Sequence, residues 1–165
     1  MKLVLFLPAA VVAILLCAML LFLTYGREKS WSLLVGSPNR GQLEIQSFKR
    51  SQTDNDALAC TSGIRSDCDI TLPAFEDRPE ILIERLAQRI ERVDQLARRV
   101  DDATNPRQLR YVTYSQIMRF PDLINIEAIL RDDGRSGLLA YARAQLGKRD
   151  MGANKARLTL YLEDL

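Results

Sequence analysis

The sequence contains no histidine, and this absence removes several kinds of active site at once. It excludes Ser-His-Asp and Cys-His nucleophilic catalysis, histidine-ligated zinc and an imidazole general base. The three cysteines include no CxxC pair, the spacing that zinc and thiol-redox motifs commonly use. We therefore expect neither a metal ion nor a cofactor.

The sequence also lacks a strong excess of charge of either sign. Its 23 Lys and Arg side chains nearly balance 21 Asp and Glu side chains, so the formal net charge is +2. Proteins that bind nucleic acids need a basic face or stripe. We therefore expect no nucleic-acid partner.

The longest apolar run, LVLFLPAAVVAILLCAMLLFLTY, lies near the N-terminus, from Leu3 to Tyr25. It carries no charge and no polar face, and as a helix with a rise of ~1.5 Å per residue it spans the ~30 Å hydrocarbon layer of a bilayer. It exceeds the ~7–15-residue core of a signal peptide, and no small-x-small cleavage site follows it. We predict an uncleaved anchor over residues 1–26, with 3–25 in the lipid bilayer; a cleaved signal is the alternative.

Two features bear on the orientation of this anchor, and they disagree. Lys2 precedes the apolar run and three basic residues follow it by position 40, a distribution that slightly favours a cytoplasmic C-terminal part. Cys60 and Cys68, in the short loop CTSGIRSDC, instead indicate a disulfide and an oxidising compartment. We favour the disulfide over unlinked thiols, and predict a single-span protein of the bacterial inner membrane with a periplasmic domain.

The chain after the anchor divides into a polar segment and a globular part. Residues 27–54 contain the turn cluster GSPNRGQ, and we predict a tether with one short strand at Leu43–Phe48. Residues 55–165 are predicted to form the globular domain. Within it, DRPEILIERLAQRIERVDQLARRV has apolar side chains at spacings of three and four, which predicts a long helix. Asp77 and Glu80 have capping-box spacing, and Asp94 is one turn from Arg98.

The apolar period changes to two after Pro106. Three segments alternate in this way: LRYVTYSQIMRF, LINIEAIL and GLLAYARAQL. The short turns PD and RDDGRS between them predict a three-strand antiparallel meander, and ANKARLTLYLEDL returns to a helical pattern. The predicted fold is α+β, with an N-terminal transmembrane helix and a small domain whose antiparallel sheet packs against one long helix and one C-terminal helix.

The segment YARAQLGKRDMGANKAR, from Tyr141 to Arg157, carries most of the candidate functional residues. Gly147 and Gly152 have the G-x4-G spacing of a P-loop, but the required Lys and Ser or Thr do not follow, so an NTPase is excluded. The first N–H groups of the following helix would suit an anion. In the alternative interpretation, Asp150 or Asn154 caps that helix and the glycines supply positive φ.

The same segment resembles a known family. The domain of unknown function 1499 of bacteria and plastids has a strand ending in Phe-Pro-Asp and a later motif shaped like YSRSRxGxSDxGxNxxR, to which RFPD at Arg119–Asp122 and the Tyr141–Arg157 segment are similar. The cysteine loop at Asn55–Cys68 is similar to its N-terminal segment, so the likeness covers about residues 55–165. It implies an envelope-associated domain, often anchored or exported, and no particular reaction. Ala142 and Ala144 stand where the family often has Ser.

Three hypotheses for function follow. The favoured one is a non-catalytic module that binds an envelope protein or a small anionic ligand, with arginines making bidentate contacts. The second is a hydrolase with Asp122 and Asp150 as acid and base, which requires both carboxyls in one pocket. The third is a structural domain whose polar groups pair internally. The candidate residues are Arg119, Asp122, Arg143, Asp150, Asn154 and Arg157.

A reporter fused to the C-terminus tests the predicted topology. We expect a phosphatase that needs disulfides to fold to be active, and a fluorescent protein that matures only in the cytoplasm to stay dark, because the domain is predicted to be periplasmic. Deletion of residues 3–25 from the same fusion should abolish the phosphatase activity. A fluorescent fusion of the intact chain would contradict the predicted orientation.

Overall fold

The computed structural model describes residues 3–50 and 52–165. Lys2, one of the basic residues that bear on the predicted orientation of the anchor, lies outside the described residues. This part of the chain forms four helices and six strands. The helices are α1 Leu3–Tyr25, α2 Arg27–Val35, α3 Pro79–Val93 and α4 Ala153–Leu162. The strands are β1 Asp56–Thr61, β2 Ile70–Leu72, β3 Arg98–Arg99, β4 Gln108–Tyr114, β5 Pro121–Leu130 and β6 Ser136–Ala144.

The six strands form one sheet in the order β2-β1-β6-β5-β4-β3. Strands β4, β5 and β6 are consecutive antiparallel neighbours, so the predicted meander is formed. The sheet is larger than predicted because β1 pairs antiparallel with β6 and β2 pairs parallel with β1. The α+β class is confirmed, but the sheet is mixed rather than purely antiparallel.

Helices α3 and α4 cover one face of the sheet, and the alternation along β6 decides which side chains they meet. Leu138, Ala140 and Ala142 belong to the larger core under the helices, whereas Leu139 and Tyr141 belong to a second core on the other face. Side chains from α3 fill the first core at helical spacing: Leu82, Leu86 and Ile90 are each fully buried. Burial of each such side chain stabilises the fold by ~1.5–3 kcal/mol.

The segment expected to be a polar tether covers the second face of the sheet. Ile45 is fully buried against Leu58 and Leu139, and the Phe48 ring lies 4.4 Å from that of Tyr141. The predicted strand at Leu43–Phe48 is wrong, because residues 45–47 form a turn. The apolar side chains of the segment, Leu43, Ile45 and Phe48, are spaced by two and then three residues, and all three pack in the second core. In a straight strand Phe48 would point away from the face that holds Leu43 and Ile45, because successive side chains alternate between faces. The turn brings all three to the sheet. Part of the segment is also helical, as α2.

Helix α1 coincides with the predicted anchor. Its window from Pro8 to Tyr25 has a mean hydropathy of 2.4, and none of it is buried against the rest of the described chain. The helix is therefore long and apolar enough to cross a membrane or to act as a signal anchor.

Helix α3 is shorter than predicted, because it ends at Val93. Asp94 takes an extended conformation with φ −127° and ψ 93°, and its carboxylate accepts hydrogen bonds from the hydroxyls of Thr113 and Tyr161. The predicted pairing with Arg98 is therefore wrong, since Arg98 lies in β3. Local spacing favoured a helical pair, but two buried hydroxyls from other elements capture the carboxylate.

The predicted capping box at the start of α3 and the predicted turn at Pro121 and Asp122 also differ from the structure. The residue before α3 is Arg78, which makes no side-chain capping hydrogen bond, and Glu80 pairs with Arg107 at 2.7 Å. Pro121 and Asp122 do not form a turn but begin β5, opposite Tyr114 and Thr113. The chain reverses earlier, in the loop of residues 115–120.

Cys60 and Cys68 form the predicted disulfide, with Cα atoms 5.9 Å apart. Cys60 is buried in β1, and Cys68 lies just before β2. Parallel neighbouring strands usually need a crossover of about a dozen or more residues, but only residues 62–69 separate β1 from β2. The disulfide closes this unusually short connection.

We expect the double substitution Cys60→Ala/Cys68→Ala to lower the free energy of unfolding by about 2–3 kcal/mol, because a loop of this length loses that much closure entropy from the unfolded state. The thermal midpoint should fall by ~5–10 °C. Circular dichroism in detergent measures both. The control is Cys17→Ala, which removes the exposed free thiol in α1 and should leave the midpoint unchanged. An unchanged midpoint in the double variant would refute a stabilising bridge.

Candidate functional site

The register of the sheet divides the candidate residues between its two faces. Asp122 pairs with Ala144 and Leu123 pairs with Arg143, and directly opposed residues share a face. Asp122 therefore points toward the helices, whereas Arg143 points to the opposite side. The candidate residues therefore do not all lie on one face of the sheet.

Asp122 meets Arg157 beneath α4. The Arg157 Nη1 atom lies 2.7 Å from Asp122 Oδ2 and donates to Asn154 Oδ1 at 2.6 Å. The exposed fractions of the Arg157 and Asp122 side chains are 14% and 9%, and Asn154 is fully buried. These three groups form an internal cluster rather than a surface that could receive a partner.

Asp150 caps the start of α4, as one of the sequence interpretations expected. Its carboxylate accepts the backbone N–H of Gly152 at 2.9 Å and of Asn154 at 3.0 Å. Gly147 and Gly152 have φ of 85° and 79°, the left-handed values that favour glycine. An external anion at this helix terminus would compete with the Asp150 carboxylate for the same N–H groups.

Asn55, which was not among the predicted site residues, ties this loop to β1. Its side-chain amide donates to the carbonyl oxygens of Ala144 and Gly147, at 3.2 and 2.9 Å, and its own carbonyl accepts from Asn154 Nδ2 at 3.3 Å. Asn55 is 4% exposed. The loop of residues 147–152 (the glycine loop) is therefore held by the buried amides of Asn55 and Asn154. Its residues shape the junction between β6 and α4.

The electrostatics of Asp122 follow from its burial. Burial raises the pKa of the Asp122 carboxyl above its usual range, the charge of Arg157 offsets part of the effect, and Asp150 and Asp94 add to it. Burial also acts to raise the pKa of the Asp94 carboxyl. Hydrogen bonds from Thr113 and Tyr161 more than offset this effect, so the pKa of Asp94 lies below its usual range. Asp122 and Asp150 both have internal partners.

Arg119 lies apart from the glycine loop. It has φ 58° in the loop of residues 115–120, and its Nε atom is 4.0 Å from a carboxylate oxygen of Glu28 in α2. It therefore faces the segment that follows the apolar helix.

A cleft of ≈ 430 Å³ opens on the second face of the sheet, beneath the chain at residues 40–43. Its floor comes from β5 and β6, and its rim comes from the end of β6 and the turn after α2. Among the described residues, two arginines and no carboxylate line it. The lining residues are Arg40, Gly41, Gln42, Leu43, Thr53, Asn55, Leu123, Asn125, Tyr141, Arg143, Ala144, Gln145 and Gly147.

The two arginines differ in how they are held. Arg40 donates from Nε to Gln145 Oε1 at 2.9 Å and from Nη2 to the Val35 carbonyl at 2.6 Å, which orients its guanidinium. Arg143 is exposed and makes no hydrogen bond or ion pair within the described residues. Burial raises the pKa of the neighbouring Tyr141 hydroxyl, and the charge of Arg143 offsets part of that rise. One guanidinium is thus fixed and the other is available.

Asn125 adds a buried amide to the floor of the cleft. It is 1% exposed, and its Oδ1 atom accepts no hydrogen bond from the described residues. A buried acceptor left without a donor costs ~1–3 kcal/mol. The Oδ1 atom of Asn125 is shielded from solvent, so the polar groups offered to a ligand are chiefly the two arginines.

The sequence indicated only part of this cleft. In the alternating segment GLLAYARAQL, the positions between the apolar residues include Tyr141, Arg143 and Gln145, and all three line the cleft. Arg40 was missed because its turn-rich segment has the composition of a tether. Asn125 was missed because one polar residue within LINIEAIL carries no signal of burial.

Residues 45–165 match the sequence profile of the proteins of unknown function DUF1499, and the chain belongs to that family. The match begins at Ile45, the residue that fills the second core. No curated protein and no solved structure matches the chain. Membership of this family assigns no activity to the chain.

We expect Arg157→Met to lower the free energy of unfolding by about 3–5 kcal/mol at neutral pH, because it leaves the buried Asp122 carboxylate without its partner. Burial already raises the folded-state pKa of Asp122, and loss of Arg157 raises it further. A raised folded pKa contributes stability below the ordinary Asp value of 3.8 that is lost as pH rises through the folded pKa. The deficit against wild type should therefore be smallest below pH ~4 and grow toward pH ~7.

Urea unfolding across this pH range measures the deficit. Arg149→Gln, an exposed neighbour in the same loop, is the matched control and should stay within ~0.5 kcal/mol of wild type. Asp122→Asn combined with Arg157→Met should recover most of the loss, because no buried charge remains. A deficit independent of pH would show that the loss comes from packing rather than from the ion pair.

Proposed function

We propose that this member of the DUF1499 family is a membrane-anchored, non-catalytic binding protein whose cleft takes a small anionic ligand. The observation that carries the proposal is the charge of the cleft lining, which includes Arg40 and Arg143 but, within the part of the chain that the structure describes, no carboxylate. Guanidinium groups are the donors best suited to carboxylate and phosphate groups, since their planar N–H pairs match two oxygens.

The size and shape of the cleft favour a small ligand over an envelope protein. Its volume of ≈ 430 Å³ falls within the ~300–1,000 Å³ range of small-molecule sites. The Arg40 guanidinium is already oriented by Gln145 and Val35, so binding would not need to order it. Arg143 would supply the second contact.

The non-catalytic assignment is supported by the roles of the two candidate carboxylates. Asp122 pairs with Arg157 and Asp150 caps α4, so both are already engaged within the fold. An acid–base hydrolase would need such groups free beside a bound substrate. In this proposal the glycine loop is a structural junction that holds β6, and the ligand meets the opposite face of that strand.

The proposed location is the bacterial inner membrane, with α1 in the bilayer and the domain in the periplasm. The length and apolarity of α1 support the anchor. The Cys60–Cys68 disulfide supports an oxidising compartment.

Thermal unfolding with added anions tests the ligand site. We expect sodium phosphate or sodium succinate at about ten times its dissociation constant to stabilise the protein by about 1.4 kcal/mol, which corresponds to a rise of ~3–6 °C in the midpoint. Sodium chloride at equal ionic strength should produce no comparable rise. Arg143→Gln should abolish the effect of the anions, because it removes the available guanidinium.

Arg149→Gln is the matched control, an exposed arginine that does not line the cleft, and should keep the wild-type response. The proposal is wrong if neither anion raises the midpoint. It is also wrong if Arg143→Gln responds as strongly as Arg149→Gln, since the anions would then bind elsewhere.

A further inference from the structure

The loop of residues 115–120, between β4 and β5, exposes an unusual amount of apolar surface for a polar domain. The exposed fractions of Ile117, Met118 and Phe120 are 77%, 37% and 38%. Contiguous exposed apolar patches of this kind mark interaction sites more often than scattered single residues do. The occupant of this patch can be inferred from what holds the loop.

Helix α2 contacts the loop at several points besides the approach of Arg119 to Glu28. The Arg27 guanidinium donates to the carbonyl of Ile117, and the Trp31 indole N–H donates to the carbonyl of Met118 at 2.7 Å. The Trp31 and Phe120 rings lie 4.8 Å apart. The loop backbone is thus fixed to the segment that directly follows the apolar helix.

This attachment places the loop close to the end of α1. Gly26, with φ 101°, is the one residue between α1 and α2, and the Trp31 ring packs edge-on against Phe22 of α1 at 5.4 Å. A continuous row of aromatic rings therefore runs from the last turns of the apolar helix to the exposed loop. Tryptophan and tyrosine are the residues that prefer the headgroup level of a bilayer.

The surface of α2 has the same character. Leu33 and Leu34 are 72% and 71% exposed, and Lys29 is also exposed. Apolar side chains beside basic groups suit the boundary between acyl chains and anionic headgroups.

We propose that the loop of residues 115–120 inserts its apolar side chains into the headgroup region of the bilayer that α1 spans, so that the domain rests on the membrane surface instead of standing away from it. The inference rests on α1 being embedded in a bilayer, which is part of the proposed function. It does not depend on the anion cleft. Lipid is the expected occupant because the aromatic contacts of Phe22, Trp31 and Phe120 connect the patch directly to the apolar helix.

Site-specific fluorescence quenching in the full-length protein tests the proposal. The protein is reconstituted in vesicles of phosphatidylcholine and phosphatidylglycerol, and a single thiol is labelled with an environment-sensitive fluorophore. The test protein is Cys17→Ser with Ile117→Cys. Native Cys17, within α1, is the positive control for lipid exposure.

The matched negative control is Cys17→Ser with Leu130→Cys. Leu130 is an exposed leucine, at 56%, and it ends the same strand that Pro121 begins, ~30 Å away. Gln116→Cys gives a second label in the loop at an exposed polar position. Mass analysis without reductant checks in every variant that the Cys60–Cys68 bridge is intact.

We expect lipids with a quencher near the headgroup to quench the Ile117 label several-fold more than the Leu130 label, and aqueous iodide to quench it several-fold less. Equal behaviour of the two labels, with the Cys17 label quenched by lipids that carry a quencher on their acyl chains, would overturn the docking surface alone. A Cys17 label that those acyl-chain quenchers do not quench would overturn the anchor and the docking together. An Ile117 label protected from iodide but not quenched by lipid would assign the patch to a protein contact and overturn the proposal.

Discussion

The pairing of β6 with both of its neighbours is the constraint on which the rest of the structure depends. Because β6 is hydrogen-bonded to β1 on one side and β5 on the other, its side chains must alternate strictly between the two faces of the sheet. Ala140 and Ala142 are small enough to let α3 and α4 approach on one face. Tyr141 and Arg143 are thereby directed to the other face, where the second core and the cleft lie.

The buried polar groups lock the ends of this arrangement. Asn55 holds the end of β6 to the start of β1, and Asp122 holds β5 to α4 through Arg157. Groups this deeply buried are tolerated because nearly all have partners, and removal of one partner is costly. The residues that carry the family resemblance therefore act largely in the architecture of the strand–loop–helix junction.

The segment between the apolar helix and the domain has more than one role. It packs Ile45 into the second core, contributes Arg40 to the cleft, and ties Trp31 to the loop of residues 115–120. One continuous stretch of chain therefore contributes to the second core, to the cleft and to the proposed membrane contact.

Sequence patterning by itself determined the elements with strong periodicity. The apolar helix, the amphipathic stripe of α3, the meander of β4 to β6 and the positive φ of Gly147 and Gly152 follow from local hydrophobic and backbone preferences, which are encoded within short windows. The same windows indicated that Cys60 and Cys68 would pair. They also identified Asp150 as one of two candidate caps for α4.

Only the tertiary structure decided which polar groups meet. Local spacing paired Asp94 with Arg98, but hydroxyls from β4 and α4 hold the Asp94 carboxylate. The sequence pattern does not distinguish Asp122 from Arg143 as site residues, but the register of β5 against β6 directs Asp122 to the helices and Arg143 to the cleft. Register depends on contacts between residues far apart in the chain, so no local window could assign the Arg143 face to a site that includes Arg40 and Asn125.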